Sequence, residues 1–256
     1  MTWPIQSEGL SIVIPTFNER DNIEQVLTGL GSIRPLLNRP LEVILVDDQS
    51  PDGTADHAER IARLLDLEFR VLVRNGRRSM GGAIAAGLQV CHWDLVCVMD
   101  ADLSHPAETV PSLVEAFDGA DGVIASRYVP GAKIEAWPFR RRLTSYVATW
   151  IARLSLSVRC HDPLSGFFLF RRSFLKKVEI TGKGNKPLLE ILVGLRPVVH
   201  EVPYAFRNRA NGQSKLNTLA VVQFLSLVFS LHSAARRWAT PANNESDSWD
   251  ADTDQP

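Results

Sequence analysis

Leu95-Val96-Cys97-Val98-Met99-Asp100-Ala101-Asp102 is an apolar run that ends abruptly in two carboxylates separated by one alanine. In extended backbone, residues i and i+2 point to the same face, so Asp100 and Asp102 can converge on one hard cation where the strand leaves the sheet. Asp-x-Asp also occurs in ordinary turns. The surrounding sequence has to decide between the two.

Outward from this stretch, apolar runs alternate with helical patterns. Strands are expected at Leu10–Ile14, Leu41–Val46, Phe69–Val73, Leu95–Met99 and Gly122–Ala125. Helices are expected near Asp21–Leu30, Thr54–Leu65, Gly82–Val90 and Val110–Phe117. Such alternation means βαβ units and a mostly parallel sheet, with ligands at the carboxyl ends of the strands. Polar clusters fall at those ends: Pro15-Thr16-Phe17-Asn18-Glu19, Asp47-Asp48-Gln49-Ser50-Pro51-Asp52-Gly53-Thr54, and Asp100-Ala101-Asp102. Asn18, Asp21 and Thr54 also make good helix caps, and Ser-Pro-Asp-Gly an ordinary turn. Capping leaves adjacent Asp47 and Asp48 unexplained. Two acids beside a buried strand repel and lose hydration unless one holds a base or ribose, or backbone N–H groups satisfy it.

Further on, Arg140-Arg141-Arg142 precedes Leu143, Tyr146, Val147, Trp150, Ile151 and Leu154, which follow a helical period. Arg141 and Ser145 share one face, as a phosphate pocket or as part of a solvated cluster. Three cations at a helix start oppose its dipole, so stability alone does not favour them there. Asp162 is a candidate general base, although an Asp before Pro is equally a turn residue. From Leu219 to Leu231 a nearly all-apolar run carries Gln223, Ser226 and Ser230. As a helix it is roughly 20 Å long, too short for a ~30 Å hydrocarbon core. It suits a membrane interface, with Arg236, Arg237 and Trp238 at headgroup level, or a packed helix.

At 256 residues and 45% hydrophobic content, the chain can bury one large core. With 28 basic and 29 acidic residues, it lacks the basic excess of a nucleic-acid binder, and no nucleic acid is expected as partner. The end of the chain carries Glu245, Asp247, Asp250, Asp252 and Asp254 without Lys or Arg. Setting these five acids aside leaves about +4 on the rest. Residues 239–256 are expected to be a disordered acidic tail. Cys91, Cys97 and Cys160 show no metal spacing and read as reduced core residues. Met1–Leu10 shows no secretory pattern, so a cytoplasmic location is expected.

These residues resemble family 2 glycosyltransferases of the GT-A fold, and among them the polyprenol-phosphate sugar synthases of the dolichol-phosphate mannose synthase type. The early matches, Ser11–Glu19, Val46–Thr54 and Met99–Pro106, belong to many family 2 enzymes. Those that point to the polyprenol-phosphate branch are Asp162-Pro163-Leu164-Ser165-Gly166-Phe167, Lys186-Pro187-Leu188-Leu189-Glu190, and Phe206 through Leu216. The resemblance implies an α/β, GT-A type fold with a single Rossmann-like, mostly parallel central sheet and flanking helices. It divides the chain into a catalytic domain (1–217), an amphipathic, membrane-interfacial helix (218–238) and the tail.

It further implies transfer, with inversion, of a hexose such as mannose from GDP-mannose to a polyprenyl monophosphate at the inner face of a membrane. A membrane subunit would be a further partner. Rival readings are a UDP-glucose-dependent or other nucleotide-sugar transferase, and a non-catalytic nucleotide-sugar-binding protein on the same scaffold. Pro15, Phe17, Glu19, Val46, Asp48 and Ala101 would line the nucleotide pocket, and Asp100 and Asp102 would hold Mg²⁺ or Mn²⁺. Arg127, Arg141, Ser145, Lys186, Arg209 and Lys215 would contact phosphates, with Asp102, Arg127 and Arg209 closest to the chemistry. The usual Lys-x-Gly-Leu-Gly is replaced by Arg77-Arg78-Ser79-Met80-Gly81-Gly82, which passes a basic role to Arg78. Ser104 stands where some relatives place a Gln ligand.

Overall fold

The computed structural model describes residues 6–135, 137–178, 180–181, 186–207 and 218–239. The first half runs β1 (Gln6–Thr16), α1 (Arg20–Ile33), β2 (Leu41–Asp47), α2 (Thr54–Leu64), β3 (Glu68–Val73), α3 (Met80–Val90), β4 (Trp93–Val98), α4 (Val110–Glu115) and β5 (Gly122–Ser126). Every strand and helix expected there is present, with ends shifted by a few residues. The second half adds β6 (Lys133–Ile134), α5 (Phe139–Leu156), β7 (Phe168–Arg171), α6 (Arg172–Leu175), α7 (Pro187–Leu195), β8 (Val199–Pro203), β9 (Ala205–Phe206) and α8 (Thr218–Ala239).

Seven strands form the central sheet in the order β3-β2-β1-β4-β7-β5-β8, and β6 pairs with β9 in a small parallel ribbon. β1 to β4 are parallel, as are β5 and β8; β7 runs antiparallel between β4 and β5. Side chains alternate across β1, so Leu10, Ile12 and Ile14 pack with α1 and α2 residues such as Ile23, Leu27 and Ala58. Val13 turns to the other face, with Ile44, Val46, Ile84 and Leu88. Both faces are covered, which explains why the strands read as continuous apolar runs.

The helix starts differ from the sequence expectation. Asn18 adopts a left-handed backbone (φ 58°) and donates its N–H to Ser50 Oγ (2.9 Å), so it links two loops without capping α1. Thr54 is the first residue of α2. It is held by Asp52, whose Oδ1 accepts from the Thr54 N–H (3.0 Å) and hydroxyl (2.6 Å). Asp21 sits within the first turn of α1, beyond the capping position at Glu19.

On α5 the apolar stripe faces outward. Leu143, Tyr146, Val147, Trp150 and Leu154 are exposed, Trp150 and Leu154 each to 61%, while Thr149, Ala152 and Leu156 are buried. α8 extends over 22 residues, longer than the apolar run suggested. Its Leu227, Val228 and Leu231 pack on Ala152 and Leu156 of α5 and on Leu189 and Val193 of α7, while Val221, Val222, Leu225 and Phe229 stay exposed. Packing and an outward apolar face thus coexist on one helix. No described helix is long and apolar enough to cross a membrane. The tail lies outside the described residues.

All three cysteines are buried as free thiols. Burial, with the Glu42 charge adding to it, pushes the Cys91 thiol up to about 12, and burial raises Cys97 and Cys160 as well. The folded protein is therefore expected to give almost no reaction with Ellman's reagent at pH 8, and three thiols per chain once unfolded in guanidinium.

Candidate active site

At the carboxyl ends of β1, β2, β4 and β5 lies a cleft of about 850 Å³. It opens beside β1, where the chain order of the sheet reverses direction, the usual place for a ligand in an open α/β sheet. Of the residues that sequence reasoning assigned to a site, Pro15, Phe17, Glu19, Asp48 and Ala101 line it. So do Asp100 and Asp102, and, from the other side, Arg127, Arg141, Ser145 and Lys186. Val46 does not: its side chain is fully buried in the core beneath α3, packed with Ala83 and Ile84, one pleat deeper than Asp48. Arg209 and Lys215 lie outside the described residues.

The acids at the strand ends have distinct tasks. Asp47 accepts from the Ser50 N–H (2.8 Å), the Ser50 hydroxyl (2.5 Å) and the Thr16 hydroxyl (3.2 Å), which makes it the anchor of the turn after β2. Asp48 takes a two-pronged contact from Arg74 (Nε 2.7 Å, Nη2 2.9 Å) and the Ser79 N–H (3.1 Å). Arg74 was missed by sequence reasoning, since nothing in its spacing marks it. The Gly-rich turn explains its place: a Cβ on Gly82 would meet Arg74 Nη1 at 2.5 Å. Arg78 lines the cleft and stacks its guanidinium over the Phe17 ring at 3.9 Å.

Asp102 is buried, and its Oδ1 accepts from both the N–H (3.1 Å) and the hydroxyl (2.5 Å) of Ser104. Ser104 thus orients Asp102. Two carboxylates facing one cleft are a hard-oxygen donor set that fits Mg²⁺ or Mn²⁺. Glu42, Glu68 and His92 also bring potential ligand atoms within 4.8 Å of one another. They lie at the amino ends of β2 and β3 and just before β4, opposite the cleft. Glu42 Oε1 already accepts from the Ser11 hydroxyl and the His92 N–H, both at 2.5 Å.

Arg127, after β5, is nearly enclosed. Its Nε and Nη2 each donate to Asp162 at 2.7 Å, and its N–H donates to the same carboxylate at 3.0 Å. Burial pulls the guanidinium pKa down, but the charge and hydrogen bonds of Asp162 more than reverse this and hold it above its ordinary value. The rings of Tyr128, Trp137 and Phe206 surround it at 5.4–5.8 Å. The Asp162 side chain is 0% exposed and committed to Arg127, so it is not placed to act as a general base. Arg141 stacks over Trp137 at 4.3 Å, and Ser145 Oγ hydrogen-bonds Tyr128 Oη at 2.7 Å.

Removing one partner of a buried ion pair leaves the other charge uncompensated. Asp162→Ala is therefore expected to cost about 3–5 kcal/mol of stability in urea unfolding, and Arg127→Met with Asp162→Leu to recover most of it.

A family model described as "Glycosyl transferase family 2" matches residues 11–179. The chain is 38% identical over 226 residues to a dolichol-phosphate mannosyltransferase of Pyrococcus furiosus, covering 87% of this chain but only 63% of that protein. It is 33% identical to a dolichol-phosphate mannosyltransferase of Saccharomyces cerevisiae (87% of this chain, 86% of that one). Identity is 34% to a polyprenol monophosphomannose synthase of Mycolicibacterium smegmatis (80% of each). Among solved structures, glucosyl-3-phosphoglycerate synthase from Mycobacterium tuberculosis with Mg²⁺ and UDP superposes with a TM-score of 0.64 at 22% identity, over 88% of this chain and 80% of that one. The expected GT-A type architecture is thus the one observed. With its mostly parallel sheet, its cleft at the strand ends and a matched segment that includes Asp100, Asp102 and Arg127, the chain belongs to glycosyl transferase family 2.

Proposed function

We propose that this protein transfers mannose from GDP-mannose to a polyprenyl monophosphate, with inversion at the anomeric carbon, on the cytoplasmic face of a membrane. The observation that carries this reading is the continuity of the cleft. Asp100 and Asp102 line one part, Arg127, Arg141 and Lys186 another, and Val147, Ile151, Val221 and Phe224 of α5 and α8 border it. An acceptor with an anionic head and a long apolar chain matches that sequence of surfaces. The names of the relatives, two of them dolichol-phosphate mannosyltransferases, support mannose as the sugar and a polyprenyl phosphate as the acceptor. Residues 1–217 would form the catalytic domain and 218–238 the membrane-facing helix.

Phe17, Glu19 and Asp48 would receive the nucleoside, with Arg78 moving from the Phe17 ring toward the diphosphate. Asp100 and Asp102 would hold Mg²⁺ or Mn²⁺, which when bound supplies positive charge to the leaving nucleoside diphosphate. A phosphate monoester has a second pKa near 6 and is mostly dianionic at neutral pH, so the protein needs no general base. What it must supply is positive charge where two anions approach each other. Arg127, held in a fixed orientation by Asp162, would offer its remaining guanidinium N–H groups to the phosphates, and Arg141 and Lys186 would bring the further positive charge. The acceptor oxygen then attacks in a single displacement.

Pure protein incubated with labelled GDP-mannose, UDP-glucose and other nucleotide sugars plus a short polyprenyl phosphate tests the reading. Mannolipid formed from GDP-mannose and lost with chelator is expected; transfer from another sugar nucleotide alone would redirect it. Asp100→Asn and Asp102→Asn should each lower kcat by about 10²–10³-fold. Trp150→Glu with Leu154→Glu should weaken cofloating with anionic liposomes by about tenfold and leave turnover of a detergent-soluble acceptor unchanged.

A further inference from the structure

His105 lines the cleft but has no part in the reaction above. Leu103 adopts a left-handed backbone (φ 65°), which returns the chain so that the His105 ring lies against Asp100. The Asp100 N–H donates to His105 Nδ1 at 2.9 Å. With Nδ1 accepting, the proton of the neutral ring is on Nε2, and Nε2 lies 3.8 Å from Asp100 Oδ2. That is too long for a hydrogen bond, yet close enough for the N–H dipole to favour one orientation of the carboxylate.

The ring itself cannot easily turn. Its side chain is 2% exposed, stacked on Phe167 at 5.0 Å and met by the edges of Tyr204 and Phe206 at 6.0 and 6.2 Å. Gly166 closes the remaining side: a Cβ there would lie 3.1 Å from Asp100 Oδ2 and 3.2 Å from His105 Cε1. Backbone N–H and side-chain carboxylate of the same aspartate are thus addressed by the two nitrogens of one immobilised ring.

We propose that His105 is a positioning residue that aims the Asp100 carboxylate at a divalent cation. This rests on Asp100 being a cation ligand, and outer partners of metal ligands commonly contribute 10–100-fold to affinity. The test is Mn²⁺ binding to the full-length protein with GDP and without acceptor, followed by electron paramagnetic resonance, with urea midpoints recorded for every variant. His105→Phe keeps the stacking and removes both nitrogens; its Mn²⁺ dissociation constant is expected to rise at least about tenfold. His105→Asn restores an acceptor for the Asp100 N–H and should recover part of that loss, which a purely steric role would not produce. If Asp100→Asn abolishes Mn²⁺ binding while both His105 variants bind as wild type does, the positioning role is overturned and the ligand role stands. If Asp100→Asn itself binds Mn²⁺ normally, the ligand reading fails and the positioning role with it.

Discussion

A carboxylate at the end of a buried strand has lost much of its water and must find compensation nearby. This constraint organises the whole cleft. Asp47 is compensated by the turn it closes, Asp48 by Arg74 and Asp102 by Ser104, and the equally buried Asp162, in the loop before β7, by the fork of Arg127. Each partner fixes its acid in one orientation, so the loops that follow the strands are tied down before any ligand arrives. Such preorganisation lets a charged site act without rearranging.

The same requirement explains which functional groups the sequence displayed. Hydrophobic periodicity set out the strand–helix alternation because both faces of the sheet are covered, and it put the polar clusters at the strand ends. Two of the pairings were hidden because their partners come from far along the chain. Arg74 is 26 residues from Asp48, and Asp162 is 35 residues from Arg127. No local pattern links them. Asn18 and Thr54 look like caps from composition, yet the contacts between the two loops use the Asn18 main-chain N–H, which donates to Ser50, and the Thr54 hydroxyl, which accepts from the Glu19 N–H. Val46 lies on the same side of the pleat as Asp48, two residues on, but α3 covers it, so depth beneath that helix keeps it out of the cleft.

The α5 stripe was legible as a helix and misleading as a core. An apolar face normally seeks the interior, but here Ala152 and Leu156 provide the inward contact and the larger side chains remain outside. Periodicity reports that a helix has two kinds of face. Which face meets the protein is settled only by what the neighbouring elements offer, and α8 brings its own outward apolar residues alongside.

The reversed strand β7 has a metric consequence. It separates β4, which leads to Asp100, from β5, which leads to Arg127. Neighbouring strands lie about 4.8 Å apart, so the backbone holds the anchor points of the acidic and cationic groups on strands about 10 Å from each other. That gap works as a ruler written in main-chain hydrogen bonds. Evolution can exchange the side chains that reach across it, but it can lengthen or shorten the ruler only by rebuilding the sheet.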